Sequence, residues 1–223
     1  MRVQVPKPLH GWREFAGEVG IIVLGVVIAL ALGQAVQAWQ WHEDVKTART
    51  SIQREMAFDL AFFADRLRIA KCVDRHLADA EQRIEAVATS GETPPSNANL
   101  ESPGRLILVG DYEAQEAADN LIHFPPADLS ALGVFYDQAR FMSEWTEKED
   151  TAWNELELLS KGGTRLGAFD VAMLRRDLQI AKNYERLTLI NARRQIDRGR
   201  ELGVAPGPSR TDYLAYMCES AAA

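Results

Sequence analysis

The sequence predicts an all-α protein in which one N-terminal transmembrane helix continues into an antiparallel helical bundle. Three observations carry that prediction. Residues 19–41, inside "GEVGIIVLGVVIALALGQAVQAWQW", form a run of 23 residues without a charge. Beyond it, apolar residues recur at threes and fours over three long stretches, the spacing of an amphipathic helix. Each stretch stops at glycine, the residue that most readily adopts the left-handed conformation that ends a helix. The expected organisation is a short cytoplasmic N-terminus at residues 1–18, a transmembrane helix at 19–41, a bundle domain at 42–203, and a tail at 204–223 that folds back on the bundle.

The uncharged run comes first in the chain. About 20 helical residues cross a bilayer core. Its ten strongly apolar side chains, from Ile21 to Val36, together favour insertion by about 3 to 6 kcal/mol. Trp12 on one side and Trp39 with Trp41 on the other stand where amphipathic rings prefer the headgroup level. Val36-Gln37-Ala38 offers the small residues of a signal-peptidase site, but the apolar run exceeds the 7 to 15 residues of a typical secretory signal, which favours an uncleaved anchor. No cysteine lies near the run to carry a lipid. Basic residues tie across the span, with Arg2, Lys7 and Arg13 before it and Lys46, Arg49 and Arg54 after it. A short basic N-terminus usually stays in the cytoplasm while a long domain is translocated regardless of charge, so the domain is expected in the periplasm, tethered to a bacterial inner membrane. Gly25, Ala29 and Gly33 recur every four residues, a small-residue face along which a second helix, from another copy or another membrane protein, can approach.

After Trp41 the pattern continues without proline or glycine: Ala48, Ile52, Met56, Leu60, Phe63, Leu67, Ala70, Val73, Leu77, Ala80, Ile84 and Val87 keep helical, coiled-coil-like spacing. Gly91 and "ETPPSNANLESPG" end this helix. "RLILVG", residues 105–110, has no partner strand and is expected as irregular chain packed on helices. A short helix is expected at residues 111–120. Pro125 and Pro126 suit the first turn of the next helix, where a missing amide donor costs nothing. That helix carries Leu129, Leu132, Tyr136, Ala139, Met142, Trp145, Ala152, Leu156 and Leu159, and its charged stretch "TEKED", residues 146–150, marks a bend or exposed turn. The last long helix takes Asp170 as N-cap and runs through Val171, Leu174, Leu178, Ala181, Tyr184, Leu187 and Ile190 to Gly203.

Two stretches carry a family resemblance. Glu18, Gly25, Ile28-Ala29-Leu30 and Trp39 resemble the N-terminal motif of an uncharacterised bacterial family of short single-span membrane proteins. Residues 112–136 are similar to that family's helix, turn and helix with paired aromatics, except that Asp119-Asn120 stands where a Ser-Gly type turn is usual. The resemblance implies the anchored helical architecture and no activity.

The composition narrows function mainly by exclusion. A formal net charge of −7 lacks the clustered basic excess that neutralises phosphates, which argues against nucleic acid. Arg193, Arg194, Arg198 and Arg200 share their helix with Asp197 and Glu201 and form a solvated face. Cys72 and Cys218 are the only cysteines, and in an exported domain they are expected as a disulfide. Together with His76, one turn beyond Cys72, they also make a remote three-ligand metal set. The aromatics Phe135, Tyr136, Phe141, Trp145 and Trp153 read as core before they read as a pocket. No phosphate loop, nucleophile elbow or zinc-helix motif occurs, so no catalytic residue, resident metal or cofactor is assigned. The expected role is a membrane-anchored helical interaction or assembly module, its partners the bilayer and another helix met through the span. The alternatives are a ligand-binding extracytoplasmic sensor working with a separate signalling partner and, more remotely, a metal-dependent enzyme on a helical bundle.

Overall fold

The computed structural model describes residues 12–95 and 100–219, with side chains from 15 to 95 and from 100 to 218. Within them the chain is all-α and without strands: α1 (Trp12–Ser90), α2 (Gly110–Ala117), a 3-10 turn (Asn120–His123), α3 (Pro126–Leu156), a second 3-10 turn (Glu157–Ser160), α4 (Ala168–Glu201) and α5 (Thr211–Glu219). Two compact units divide it, Met1–Thr47 and Ala48–Ala223, and α1 contributes to both.

In the first unit the apolar side chains stand open. Ile21 is 73% exposed and Leu32 63%. The most apolar 18-residue window has a mean hydropathy of 2.6 with none of it buried, and by length and composition α1 is the one helix among the described residues able to cross a membrane.

The second unit is a three-helix core with an extended return. α1 ends at Ser90 because Gly91 takes φ +75°, a left-handed value that strains residues with a side chain. The chain beyond it is stapled to the turn before α4, with Thr93 N–H donating to the Thr164 carbonyl at 2.8 Å and Leu166 N–H to the Gly91 carbonyl at 3.1 Å. α4 therefore starts beside the end of this part of α1. It finishes beside residue 60, where a Cβ on Gly199 would lie 2.4 Å from Leu60 Cδ1, so the two helices run antiparallel. α3 begins near Arg49, whose guanidinium meets Asp128 at 2.7 Å, and its following turn meets Thr93, which donates to the Lys161 carbonyl at 2.5 Å. α3 is thus parallel to α1 and antiparallel to α4. The bundle is antiparallel at α1/α4 and at α3/α4, with α1 and α3 parallel for a physical reason. Residues 100–109 travel back along α1 without regular structure, so α3 starts at the same end as this part of α1.

That return is where "RLILVG" lies. It has no regular structure, and Ile107 is buried while Leu106 is open. α2 covers Gly110–Ala117, shorter than residues 111–120, because Asp119 adopts φ 57° and turns the chain into the 3-10 segment. Asp tolerates that left-handed conformation better than most residues. α3 starts at Pro126 with Pro125 as N-cap. It then runs unbroken through residues 146–150: Thr146 and Glu149 are buried, so "TEKED" is neither bend nor exposed turn. α3 gives way at Leu156 to the 3-10 turn before Gly163, at φ +76°, is reached.

α4 begins at Ala168 with Gly167 as N-cap, and Asp170 is the third helical residue, its carboxylate accepting the Gly167 N–H at 2.8 Å. An acid at that position satisfies a free amide as well as an N-cap acid would, which is why sequence placed it there. The helix stops in a Schellman motif: Val204 N–H donates to the Gly199 carbonyl at 2.8 Å and Gly203 N–H to the Arg200 carbonyl at 3.1 Å, with Gly203 at φ +72°. The tail is not irregular throughout. α5 brings Met217 into the main core, beside Val73, Leu77, Trp153, Leu156 and Leu174.

Candidate functional site

One end of the core is apolar, and the other is threaded with charge. On α1 the buried face includes Glu55, Asp59, Asp65, Arg66 and Ile69, while Leu67 and Ala70, expected inside, are half-buried. α3, α4 and the extended return cover a wider arc of α1 than one apolar stripe supplies. On α4 the stripe of Val171, Leu174, Leu178 and Ala181 continues inward as Glu185, Thr188, Asn191, Gln195 and Gly199, and Ile190 is turned out. These carboxylates are structural members of the interior, not solvated charge.

Glu55 and Asp59 hold the return. Glu55 accepts N–H bonds from Asp111 at 2.7 Å and Tyr112 at 3.1 Å, capping α2, whose own N-cap Val109 has no side-chain bond to offer. Asp59 accepts the Leu108 N–H at 2.9 Å. Burial pushes the Asp59 carboxyl up to about 8; the Leu108 N–H opposes the shift and the neighbouring Glu55 charge adds to it. Tyr136 stacks on Tyr112 with ring centroids 4.1 Å apart, and burial followed by the Glu55 carboxylate raises its phenol.

Asp65 gathers three segments. It meets Arg68 of its own helix at 3.1 Å, Arg105 of the return at 3.3 Å, and in the tail the Ser209 hydroxyl at 2.5 Å and the Arg210 N–H at 3.2 Å. Arg105 also lies over the rings of Phe58, Phe62 and Tyr213, 5.4 to 5.7 Å from their centroids.

Arg66 is the centre of the charged interior. Its fully buried guanidinium donates to Glu149 at 2.8 Å and to Glu185. Burial opposes its charge, and the two carboxylates overcome that and hold it protonated. One guanidinium serves two carboxyl groups, and burial works against ionising both. Burial raises both acids against the pull of Arg66, Glu185 to about 7 with further contributions from Glu149 and Asp74.

The residues singled out in sequence fall in separate places. Cys72 and Cys218 are bonded, with Cα atoms 5.2 Å apart, tying α5 to α1 across 146 residues. Both sulfurs are consumed by the bridge, so the Cys72, His76 and Cys218 metal set is lost. Among the described residues no group of three metal-binding side chains is assembled. Gly25, Ala29 and Gly33 share the open first unit, with nothing within 4 Å of a Cβ added at either glycine. Trp39 and Trp41 are exposed, and the side chain of Trp12 lies outside the described residues. Phe135, Tyr136 and Trp153 are wholly buried while Phe141 is open, so the aromatics do not converge on one pocket. Arg200 of the basic cluster is paired with Asp197 at 2.8 Å.

Two surface cavities lie along α4, one of which reaches the charged interior. One of about 690 Å³ lies between α3 and α4 around Lys148, Ala152, Arg176 and Tyr184. The other, of about 380 Å³, lies between α1 and α4 and reaches Glu185. Sequence reasoning missed this network, although one signal was present. Carrying the α4 stripe onward at threes and fours lands on Glu185, Thr188 and Gln195, so periodicity alone marked them as inward. Fold and site define an all-α protein with one membrane-competent helix and a disulfide-closed helical domain. Comparison with protein-family models, curated proteins and solved structures finds no match to this chain.

Proposed function

We propose that the protein is a single-pass membrane protein of the bacterial inner membrane, its N-terminus cytoplasmic and its helical domain in the periplasm, acting as an interaction or assembly module. The observation that carries this reading is the open apolar run of α1, from Ile21 to Val36, which nothing in the described chain buries. A water-exposed run of that size would aggregate, so lipid or another helix is its natural solvent. The Cys72–Cys218 bond supports the compartment, because disulfides persist where thiols are not kept reduced. The face formed by Gly25, Ala29 and Gly33 supports a helix partner within the bilayer.

The test uses the full chain in native membranes. Resistance to alkaline extraction, protease access to the domain only from the periplasmic side, and one discrete cross-linked species, either homo-oligomer or stoichiometric complex, are expected. Alkaline release would remove the anchor, and a chain that cross-links to nothing would remove the module.

A further inference from the structure

The two sulfurs of the Cys72–Cys218 bond stand in different surroundings. Cys72, on α1, is only 6% exposed, whereas Cys218, in the last turn of α5, is half-buried and is the side more open to solvent. One turn beyond Cys72, the Arg75 guanidinium donates to Cys72 Sγ at 3.4 Å. Arg75 is exposed and forms no ion pair among the described residues, so its charge is directed at that sulfur. Exposed Lys71 adds positive charge beside Cys72 in the chain, exposed Asp74 opposes it, and Asp79 is taken up by Arg83 at 2.8 Å. A cation beside a sulfur favours thiolate over thiol, and in thiol–disulfide exchange the sulfur that is the better thiolate leaves faster. Access thus directs an incoming thiolate to Cys218, and charge makes Cys72 the leaving group. The start of α5 is held independently of the bridge. The Tyr213 hydroxyl donates to the Pro103 carbonyl at 2.6 Å and the Arg210 N–H to Asp65 at 3.2 Å, so the sulfurs stay within reach of each other when the bond opens.

We propose that Cys72–Cys218 is a thiol–disulfide exchange site for a dithiol protein, which attacks Cys218 Sγ and displaces Cys72 as a thiolate held by Arg75. The attacking thiolate forms an S–S bond to Cys218 as the Cys72–Cys218 bond breaks, and the electron pair of the broken bond goes to Cys72 Sγ. The partner's second thiol gives up its proton to solvent and displaces Cys218, which leaves as a thiolate and takes up a proton. The chain gains two electrons, and the partner loses two in forming its own disulfide. An oxidised partner runs the same steps in reverse and closes the bridge. The site lies wholly in the second unit and does not depend on the chain crossing a membrane.

The experiment treats the oxidised full chain in detergent at neutral pH with glutathione, a monothiol probe that marks the attacked sulfur, then alkylates with iodoacetamide and maps the peptides without reduction. At early times glutathione is expected on Cys218 and the alkyl group on Cys72, with an opening rate proportional to glutathione concentration. Arg75→Gln should slow opening about threefold or more. The thermal melt of its oxidised form should match wild type, because Arg75 is exposed. In the reduced chain, Cys72 should stay reactive toward iodoacetamide to lower pH than Cys218, and Arg75→Gln should remove that difference. Opening no faster than global unfolding, glutathione on Cys72, an unchanged opening rate in Arg75→Gln, or equal pH profiles for the two thiols of the wild type would each overturn the proposal.

Discussion

Replacing Asp59 by asparagine is expected to stabilise the domain, and increasingly so as pH rises. The side chain is fully buried, and its carboxyl is pushed from an ordinary value of 3.8 to about 8. The native state therefore holds a proton at Asp59 through a range where the unfolded chain has released it. Stability contributed by that proton is present in full below about pH 4 and declines as pH rises, until the folded group itself ionises near 8. Each pH unit in that window costs about 1.4 kcal/mol, so the loss accumulated by pH 7 is on the order of 4 kcal/mol. Asparagine retains an oxygen to accept the Leu108 N–H, now 2.9 Å from Asp59, and carries no charge. Urea unfolding of the full chain in detergent at pH 5, 6, 7 and 8 should show wild-type stability falling with pH and a flatter profile for Asp59→Asn, with the variant ahead by a few kcal/mol at pH 8. Glu185, raised to about 7, contributes a slope of the same sign that remains in the variant. A variant that loses stability at pH 8, or keeps the wild-type slope, would refute the reasoning.

Three further outcomes follow from the packing. Arg66→Met strands Glu149 and Glu185 in the interior and should cost about 3 to 5 kcal/mol, whereas the triple change with Glu149→Leu and Glu185→Leu should recover most of it, as read by chemical denaturation. Gly199→Ala places a methyl group 2.4 Å from Leu60 Cδ1 and should cost about 1 to 3 kcal/mol, partly relieved by Leu60→Ala in the same background, a non-additivity that a double-mutant cycle measures. Replacing both cysteines by serine opens a loop closed across 146 residues and should lower unfolding free energy by up to about 5 kcal/mol; an unshifted melting temperature would mean that α5 stays docked without its tether.

Much of the fold was legible because its causes are local. Gly91 and Gly203 stop helices through their own backbone freedom, and Pro125-Pro126 opens α3 through fixed φ and a missing donor, whatever surrounds them. The candidate site was far less legible. "TEKED" looked like surface, yet Glu149 is buried because Arg66, 83 residues earlier, reaches it. Asp170 looked like an N-cap because acids favour both positions: an N-cap acid accepts amides of the first turn, and an acid at the third helical position, as here, reaches back to the N-cap amide. The return along α1 left no periodic trace, since it is held by side chains, Leu108 by the Asp59 carboxylate and the start of α2 by Glu55, in place of a strand partner.

The amino-acid order alone determined where the long helices form, that α1 and α4 stop at Gly91 and Gly203, and that α1 carries a run suited to lipid, because propensity, periodicity and charge-free length are properties of neighbouring residues. Only the tertiary structure decided which polar side chains lie inside, that α1 and α3 run parallel, and that Arg66 serves two acids. Those outcomes depend on the low-dielectric interior that distant segments create together. There a charge is held by the partner that reaches it, and that partner is 119 residues away in the case of Arg66 and Glu185.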